Sequence, residues 1–278
     1  MGKRVFSTLL LWSVVLGVVA FARAPGGVIL LSIVAYLAQL EAYSLLRAGG
    51  QRPLSQVGSL LGVATILGLY FTAASLPGFS GLAWLAFSIV VLVSICILRS
   101  PLEEILSTLS PTLLGYILVP FSLSFYVFTL LLLQENDGGD QPLYCIIWMI
   151  AVAKFSDVGG LIIGSRFGRT PMSPILSPRK TVEGAFGGLL FSVLTSLVLY
   201  GLAPGFFPAA FTFGSAIFGG ILLGAVAIPS DLFGSVLKRM AKVKDSGFRI
   251  PGIGGLLDLT DSLILTAPVG FIFFLVIT

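Results

Sequence analysis

The sequence predicts an all-α integral membrane protein, a polytopic bundle of about nine transmembrane helices with a cytoplasm-facing polar site in its C-terminal half. Of its 278 residues, 56% are hydrophobic and only 10% are charged, whereas a soluble domain carries about 25% charged residues. The mean hydropathy is +1.06. A chain of this size has too much apolar surface for a water-soluble core, so lipid must act as its solvent.

The apolar runs predict the number of spans. A spanning helix needs roughly 20 mostly apolar residues, and nine runs meet this requirement. Pro111 and Pro120 interrupt the stretch 101–133, in which we interpret 101–110 as an interfacial segment and Pro120 as a kink. Two short helices in this stretch would give ten spans instead. The nine predicted spans are 5–22, 27–46, 57–76, 79–98, 112–133, 143–164, 183–203, 211–229 and 261–278.

The positions of the basic residues predict the orientation. With a cytoplasmic N-terminus and nine spans, 14 of the 16 Lys and Arg residues fall in cytoplasmic segments, and the acidic loop 135–140 falls outside. This distribution follows the positive-inside rule, and ten spans would break it from residue 134 onward. We expect a multi-pass protein of a bacterial-type inner membrane, with the C-terminus outside. The net charge of +4 then reflects topology and requires no nucleic acid.

Unusual polar residues are distributed unevenly along the chain. Residues 1–150 form a predicted N-terminal region of about five spans with short loops, in which Glu41 is the one acid at membrane depth. Residues 151–278 form a predicted catalytic-type region with two long cytoplasmic loops, 165–182 and 230–260, rich in Gly, Pro, Ser and charge.

Lys154 and Asp157 are charged residues within a predicted span, where each charge costs at least ~2.5–3.5 kcal/mol. Their spacing of three residues places them on one helix face. A self-neutralising structural ion pair explains them, and so does a polar site at the cytoplasmic half of the helix. The small residues Gly159 and Gly160 that follow favour close approach of other groups.

The first cytoplasmic loop ends in a basic segment before a predicted helix. Arg179 and Lys180 precede Thr181 and the start of that helix, and the N-terminus of a helix favours anions. Such a group can bind the phosphates of a substrate. The alternative is a positive-inside loop that binds anionic lipid head groups.

The second loop combines carboxylates and basic residues. Asp231, Ser235, Lys238 and Arg239 are spaced for one helix face, and Asp258 is three residues before a further acid, Asp261. Mg²⁺ binds one or two carboxylates together with substrate phosphates, and Lys and Arg carry the remaining phosphate charge. The pattern favours phosphoryl-type transfer, which depends on positioning and charge neutralisation. A basic juxtamembrane loop with solvated acids is the alternative.

At these residues the chain resembles the phosphatidate cytidylyltransferases, or CDP-diacylglycerol synthases. The C-terminal motif of that family runs approximately S-x-x-K-R-x4-K-D-x-G-x3-P-G-H-G-G-x-x-D-R-x-D. Asp157 and the segment 177–184 resemble two further family motifs, and Glu41 also has a counterpart. The motif residues in register are Ser235, Lys238, Arg239, Lys244, Asp245, Gly247, Pro251, Gly252, Gly254, Gly255, Asp258 and Asp261.

The resemblance implies transfer of a cytidylyl group from CTP to phosphatidate, with CDP-diacylglycerol and pyrophosphate as products. It implies Mg²⁺, with room for a monovalent cation beside it, held by Asp231, Asp258 and Asp261. The same three acids and Lys238 would be catalytic. It also implies a homodimer in the lipid bilayer. The residues that would bind substrate are Arg179, Lys180, Thr181, Ser235, Arg239, Lys244, Asp245 and Asp157.

Three positions depart from the family motif by losing a polar side chain. Ile253 replaces its His, Leu259 replaces its Arg and Gly234 replaces a Glu, and the chain contains no histidine. The nucleophile is a phosphate monoester, which is already anionic at pH 7 and needs no base. An active enzyme, a variant for another lipid phosphate and a catalytically silent homologue that binds lipid or a partner all remain compatible. A transporter is disfavoured because the polar residues gather toward one face.

Overall fold

The computed structural model describes residues 2–75, 81–137, 139–174, 176–247 and 254–278. The described residues form nine α-helices, a two-stranded hairpin and three short helices of other types, joined by loops. The α-helices are α1 (Gly2–Ala48), α2 (Ser55–Ser75), α3 (Gly81–Arg99), α4 (Ile105–Tyr116), α5 (Ser122–Asp137), α6 (Gln141–Phe167), α7 (Val182–Leu202), α8 (Phe213–Met240) and α9 (Leu256–Ile277). The strands are β1 (Pro171–Ser173) and β2 (Ser177–Thr181).

Eight helical stretches within the described residues are long and apolar enough to cross a membrane. The predicted class, an all-α polytopic membrane protein, is therefore confirmed. Large apolar side chains of these helices are exposed, such as Leu98, Phe186 and Val276. Apolar exposure of this extent is what lipid contact requires.

The first of these stretches, Leu10–Ala48, has 39 residues and contains a break in the backbone. Arg23 has φ 49° and ψ −143°, which is not helical, and Pro25 follows it. The predicted spans 5–22 and 27–46 lie on either side of this break. Whether the chain crosses the membrane once or twice here decides between eight and nine spans, so the number nine stays a prediction.

The stretch with the two prolines forms a nearly continuous helical path. A 3₁₀-helix at Leu102–Glu104 leads into α4, and a π-helix at Ile117–Phe121 connects α4 to α5. Pro120 lies inside the π-helix, where the wider turn accommodates a residue without an N–H group. The Ser124 hydroxyl donates to the Pro120 carbonyl at 2.6 Å, so this carbonyl is satisfied inside the membrane.

The chain forms two compact units. Unit 1 comprises residues 1–127 and 237–260, and unit 2 comprises residues 128–236 and 261–278. Helices α5, α8 and α9 contribute residues to both units. The predicted division at residue 150 concerned where the unusual polar residues lie, and it stays a prediction.

In unit 2, α6 and α7 pack closely through glycines. A Cβ added to Gly184 would lie 2.9 Å from the Gly160 carbonyl oxygen, and one added to Gly188 would lie 2.9 Å from the Ser156 carbonyl oxygen. Glycine is therefore required on α7 for its backbone to approach α6. This contact brings the start of α7 next to the C-terminal half of α6, where Asp157 lies.

Two features differ from the sequence-based expectations. The predicted loop 165–182 contains the antiparallel hairpin of β1 and β2, in which Pro171 is paired with Thr181. The predicted loop 230–260 begins as helix, because α8 continues to Met240, and ends as helix, because α9 starts at Leu256. Hydropathy marks where apolar residues stop, and polar helical turns continue beyond that point.

The close packing of α6 against α7 generates a stability prediction. We expect Gly184→Ala to lower the free energy of unfolding in detergent micelles by about 1–3 kcal/mol, because the new methyl group overlaps the Gly160 carbonyl. Gly201→Ala on the same helix is the matched control, since a Cβ at Gly201 meets no atom within 4 Å. Equal unfolding free energies for the two variants would contradict the packing described above.

Candidate functional site

Unit 2 contains a group of charged residues that the fold brings together, which we call the unit 2 charge cluster: Lys154, Asp157, Lys180 and Asp231. On α6, the Lys154 ammonium lies 3.5 Å from Asp157 Oδ2 and donates a hydrogen bond to Ser262 Oγ on α9 at 2.7 Å. The predicted ion pair on one helix face therefore exists. Its ammonium also connects α6 to α9.

A second ion pair in the unit 2 charge cluster joins the hairpin to α8. Lys180 on β2 pairs with Asp231, and about a quarter of each side chain is exposed. Asp157 is close enough to both residues for their charges to interact with its own. Two carboxylates and two ammonium groups thus share one partly exposed region, where an anion can exchange with a carboxylate as partner of either ammonium.

Asp261 is a buried carboxylate in unit 2, with 6% of its surface exposed. Its Oδ1 accepts a hydrogen bond from Ser262 N at 2.8 Å, and its backbone carbonyl accepts one from the Ser230 hydroxyl. A Cβ added to Gly234 would lie 3.0 Å from Asp261 Cβ. Gly234 therefore lets Asp261 pack directly against α8, one turn from Asp231.

Asp258 belongs to unit 1 and has both carboxylate oxygens engaged. Its Oδ1 accepts a hydrogen bond from the Lys238 ammonium at 2.6 Å. Its Oδ2 accepts from Ser246 N at 2.8 Å, Ser246 Oγ at 2.9 Å and Gly255 N at 3.1 Å. Oδ2 thus accepts three hydrogen bonds and Oδ1 accepts one, so Asp258 joins α8 to the segment of Ser246 and to the start of α9.

Asp258 also caps the helix in which it lies. Gly255 directly precedes α9, and Asp258 in the first turn accepts its N–H, which is the carboxylate half of a capping box. Gly254 has φ +122°, and a Cβ there would lie 2.6 Å from Asp258 Oδ2. The adjacent glycines of the motif are therefore required by the fold of this turn.

The other predicted site residues are distributed over the surface and the helix ends. Thr181 is the N-cap of α7, because its Oγ1 accepts from Gly184 N at 3.1 Å. The Ser235 hydroxyl donates to the Asp231 carbonyl one turn earlier, at 3.2 Å. Arg179, Arg239 and Lys244 have exposed cationic side chains suited to contact with a soluble anion or an anionic lipid head group, and Asp245 is also exposed.

Several contacts were not predicted from the sequence. The Ser246 hydroxyl donates to Asp258, and the Ser262 hydroxyl accepts from Lys154. Both serines are adjacent in sequence to a motif residue. Glu41 was noted for its depth and not assigned a role, yet it bonds to Ser246 as well. Pro251, Gly252 and Ile253 of the motif lie outside the described residues.

The donor set fits a divalent cation that is shared with substrate. Within the part of the chain that the structure describes, no three His, Cys, Asp or Glu side chains form a group suited to a metal ion. Mg²⁺ needs only one or two carboxylates when phosphates and water complete its shell. Asp231 and Asp261 in unit 2 supply two such groups near one turn of α8.

These observations define a class: a multi-pass membrane protein in which carboxylates and ammonium groups form partly or largely buried ion pairs. The particular family follows from comparison. The chain belongs to the cytidylyltransferase family, whose model matches residues 2–277.

Individual relatives agree with this assignment. The phosphatidate cytidylyltransferase of Synechocystis sp. is 30% identical over 271 residues, which cover 87% of this chain and 86% of that protein. The phosphatidate cytidylyltransferase of Rickettsia typhi is 36% identical over 191 residues, 67% of this chain and 80% of that protein. The Escherichia coli protein YnbB, described as uncharacterized, is 36% identical over 168 residues, 60% of this chain and 54% of that protein.

The pair between Lys238 and Asp258 generates a second prediction. We expect Lys238→Met to lower the free energy of unfolding by about 3 kcal/mol, because it leaves a largely buried carboxylate without its cation. The double variant with Asp258→Asn should lose less than the sum of the two single variants. Lys242→Met, at an exposed position two residues after α8, is the control and should change stability by under about 0.5 kcal/mol. Strict additivity would contradict a direct pair.

Proposed function

We propose that this protein transfers a cytidylyl group from CTP to phosphatidate and releases pyrophosphate, so that CDP-diacylglycerol is its product. The observation that carries the proposal is the family match over residues 2–277, together with relatives named for this activity. The charge pairs of the two units supply the groups that such a reaction needs.

The chemistry is a displacement at the α-phosphorus of CTP. A phosphate oxygen of phosphatidate forms a new P–O bond to that phosphorus, the bond to the β-phosphate oxygen breaks, and pyrophosphate leaves with the electron pair. The attacking phosphate is already anionic near pH 7, so no side chain has to remove a proton. The demand on the protein is to hold two anions together and to stabilise the departing one.

We assign the unit 2 charge cluster to this task. The ammonium groups of Lys154 and Lys180 would bind phosphate oxygens, and Asp231 together with the neighbouring Asp261 would hold Mg²⁺, with Asp157 as a further acid of the region. Bound there, Mg²⁺ would neutralise phosphate charge. The fit rests on the donor chemistry described above, and a monovalent cation beside Mg²⁺ is compatible with the same acids.

In unit 1, we assign phosphate binding to basic residues and positioning to Asp258. Lys238 has three donors, so it can bind a phosphate oxygen while it remains bonded to Asp258. Lys244 and Arg239 are exposed and suited to the same purpose, as is Arg179 in unit 2. Three of the four hydrogen bonds that Asp258 accepts come from Ser246 and Gly255, so we assign it to holding the segment that carries Ser246 and not to the metal.

The proposed membrane arrangement places the reaction on the cytoplasmic side. From Arg47 onward the positive-inside pattern gives the same orientation whether α1 crosses once or twice. With two crossings the N-terminus is cytoplasmic, as we propose for an inner-membrane protein with its C-terminus outside. A homodimer is part of the same proposal, on the family resemblance alone.

The proposal predicts a specific activity for the purified protein. Incubated with labelled CTP, phosphatidate and Mg²⁺ in mixed micelles, it should form CDP-diacylglycerol and an equal amount of pyrophosphate. Asp231→Asn and Lys180→Met should each lower kcat by about 10²–10³-fold, the cost of losing one electrostatic contact to the transition state. Glu104→Gln, an exposed acid paired with Arg52, should leave activity unchanged.

If the protein shows a cooperative unfolding transition and yet forms no CDP-lipid from any lipid phosphate, the result would support a catalytically silent homologue instead. Product formed from a different lipid phosphate in preference to phosphatidate would retain the chemistry and change the substrate.

The metal assignment predicts that a chelator abolishes activity and that Mg²⁺ restores it. Asp231→Asn and Asp261→Asn should raise the Mg²⁺ concentration for half-maximal rate by at least about 10-fold, whereas Asp258→Asn should leave it within about 2-fold. A larger shift for Asp258→Asn than for Asp261→Asn would reverse our assignment of these two acids.

A further inference from the structure

Glu41 is a buried carboxylate on α1, far in sequence from the motif residues. Only 5% of its surface is exposed. Its Oε2 accepts hydrogen bonds from Ser246 Oγ at 3.0 Å and from Leu257 N at 2.9 Å, across more than 200 residues of sequence. An acid buried at membrane depth is costly and must be compensated by such contacts.

The contacts of Glu41 and Asp258 converge on one serine. The Ser246 hydroxyl lies 3.0 Å from Glu41 Oε2 and 2.9 Å from Asp258 Oδ2. The two carboxylates also cap α9 jointly, because Asp258 accepts the N–H of Gly255 and Glu41 accepts that of Leu257. We call Glu41, Ser246 and Asp258 the carboxylate clasp.

Two glycines of the motif make room for the clasp. A Cβ on Gly247 would lie 2.9 Å from Glu41 Oε1, and a Cβ on Gly255 would overlap Glu41 Oε2. Glycine is therefore required at both positions, because the Glu41 carboxylate occupies the space that a side chain would need. Gly247 lies next to Oε1 and Gly255 next to Oε2, so backbone without side chains encloses both oxygens of this carboxylate.

We infer that Glu41 is a positioning residue for nucleotide transfer, acting through the carboxylate clasp on Lys238 and Lys244. Lys238 bonds to Asp258 of the clasp at 2.6 Å, and Lys244 is two residues before Ser246. Both lysines bind phosphate in the proposed function, on which this inference rests. A displacement of about 1 Å at such groups can cost about 10²-fold in rate.

The kinetic test compares three variants with the native protein in the CDP-lipid assay, at a temperature where all are folded. Glu41→Ala should lower kcat/KM for CTP by about 10- to 100-fold and leave KM for phosphatidate within about 2-fold. Glu41→Gln should recover to within about 5-fold of native, since its amide oxygen can accept the same two hydrogen bonds. Ser32→Ala removes another buried polar group of α1, bonded only to Val28 O, and should have no effect.

A double-variant cycle tests whether Glu41 acts through Ser246. Ser246→Ala alone should lower kcat/KM, and adding Glu41→Ala to it should cost less than about 3-fold more, because both remove the same connection. Multiplicative losses would overturn the clasp as the route. A purely structural role would lower the thermal transition while kcat/KM stayed at the native value, and that result would also overturn the inference.

A readout without catalysis separates this inference from the proposed function. Trypsin cleavage after the exposed Lys244 should accelerate at least about 5-fold in Glu41→Ala and Ser246→Ala, and not in Ser32→Ala. Equal cleavage rates would overturn the clasp itself. If the native protein makes no CDP-lipid, the proposed function fails together with the catalytic part of the inference. If it does and Glu41→Ala stays within 2-fold of native, the inference alone fails.

Discussion

The start of α9 depends on carboxylates because it is buried, with Leu257 only 1% exposed. The first N–H groups of any helix lack partners within the helix, and an unpaired buried group costs about 1–3 kcal/mol. Asp258 from within the helix and Glu41 from α1 accept two of these donors. Ser246 bonds to both acids and Lys238 pairs with Asp258, so these side chains and the start of α9 form a single arrangement.

In unit 2, the carboxylates are engaged in ion pairs with lysines. Lys154 and Lys180 each pair with an acid, and the Lys154 ammonium also bonds to Ser262. These pairs remain partly exposed, which separates them from Asp258, whose partners are all close and mostly buried. In a partly exposed ion pair, the lysine can exchange its carboxylate partner for a phosphate at modest cost. A largely buried ion pair instead maintains the local structure.

How much the sequence predicts depends on the range of the interaction. Apolar runs predicted the membrane class and the approximate spans, and a spacing of three residues predicted the contact between Lys154 and Asp157, because both signals are local. The hairpin of β1 and β2 carries no such signal, since its few residues alternate weakly and include prolines. The roles of Asp258 and Glu41 depend on a contact between residues 41 and 246, which no local pattern encodes. The motif predicted Asp258 as a site residue, and the structure adds its hydrogen-bond partners Lys238, Ser246 and Gly255.

The departures from the family motif also acquire physical meaning. Gly234 replaces a Glu, and at this position a Cβ would already approach Asp261 Cβ to 3.0 Å. A longer side chain here requires a different placement of Asp261, so the glycine and the buried acid belong together. The absence of histidine removes a donor and not a base, because a phosphate monoester attacks as an anion. The proposed reaction needs charge of both signs held in fixed geometry. Ion pairs of this kind occur in unit 2, as Lys154–Asp157 and Lys180–Asp231, and in unit 1, as Lys238–Asp258.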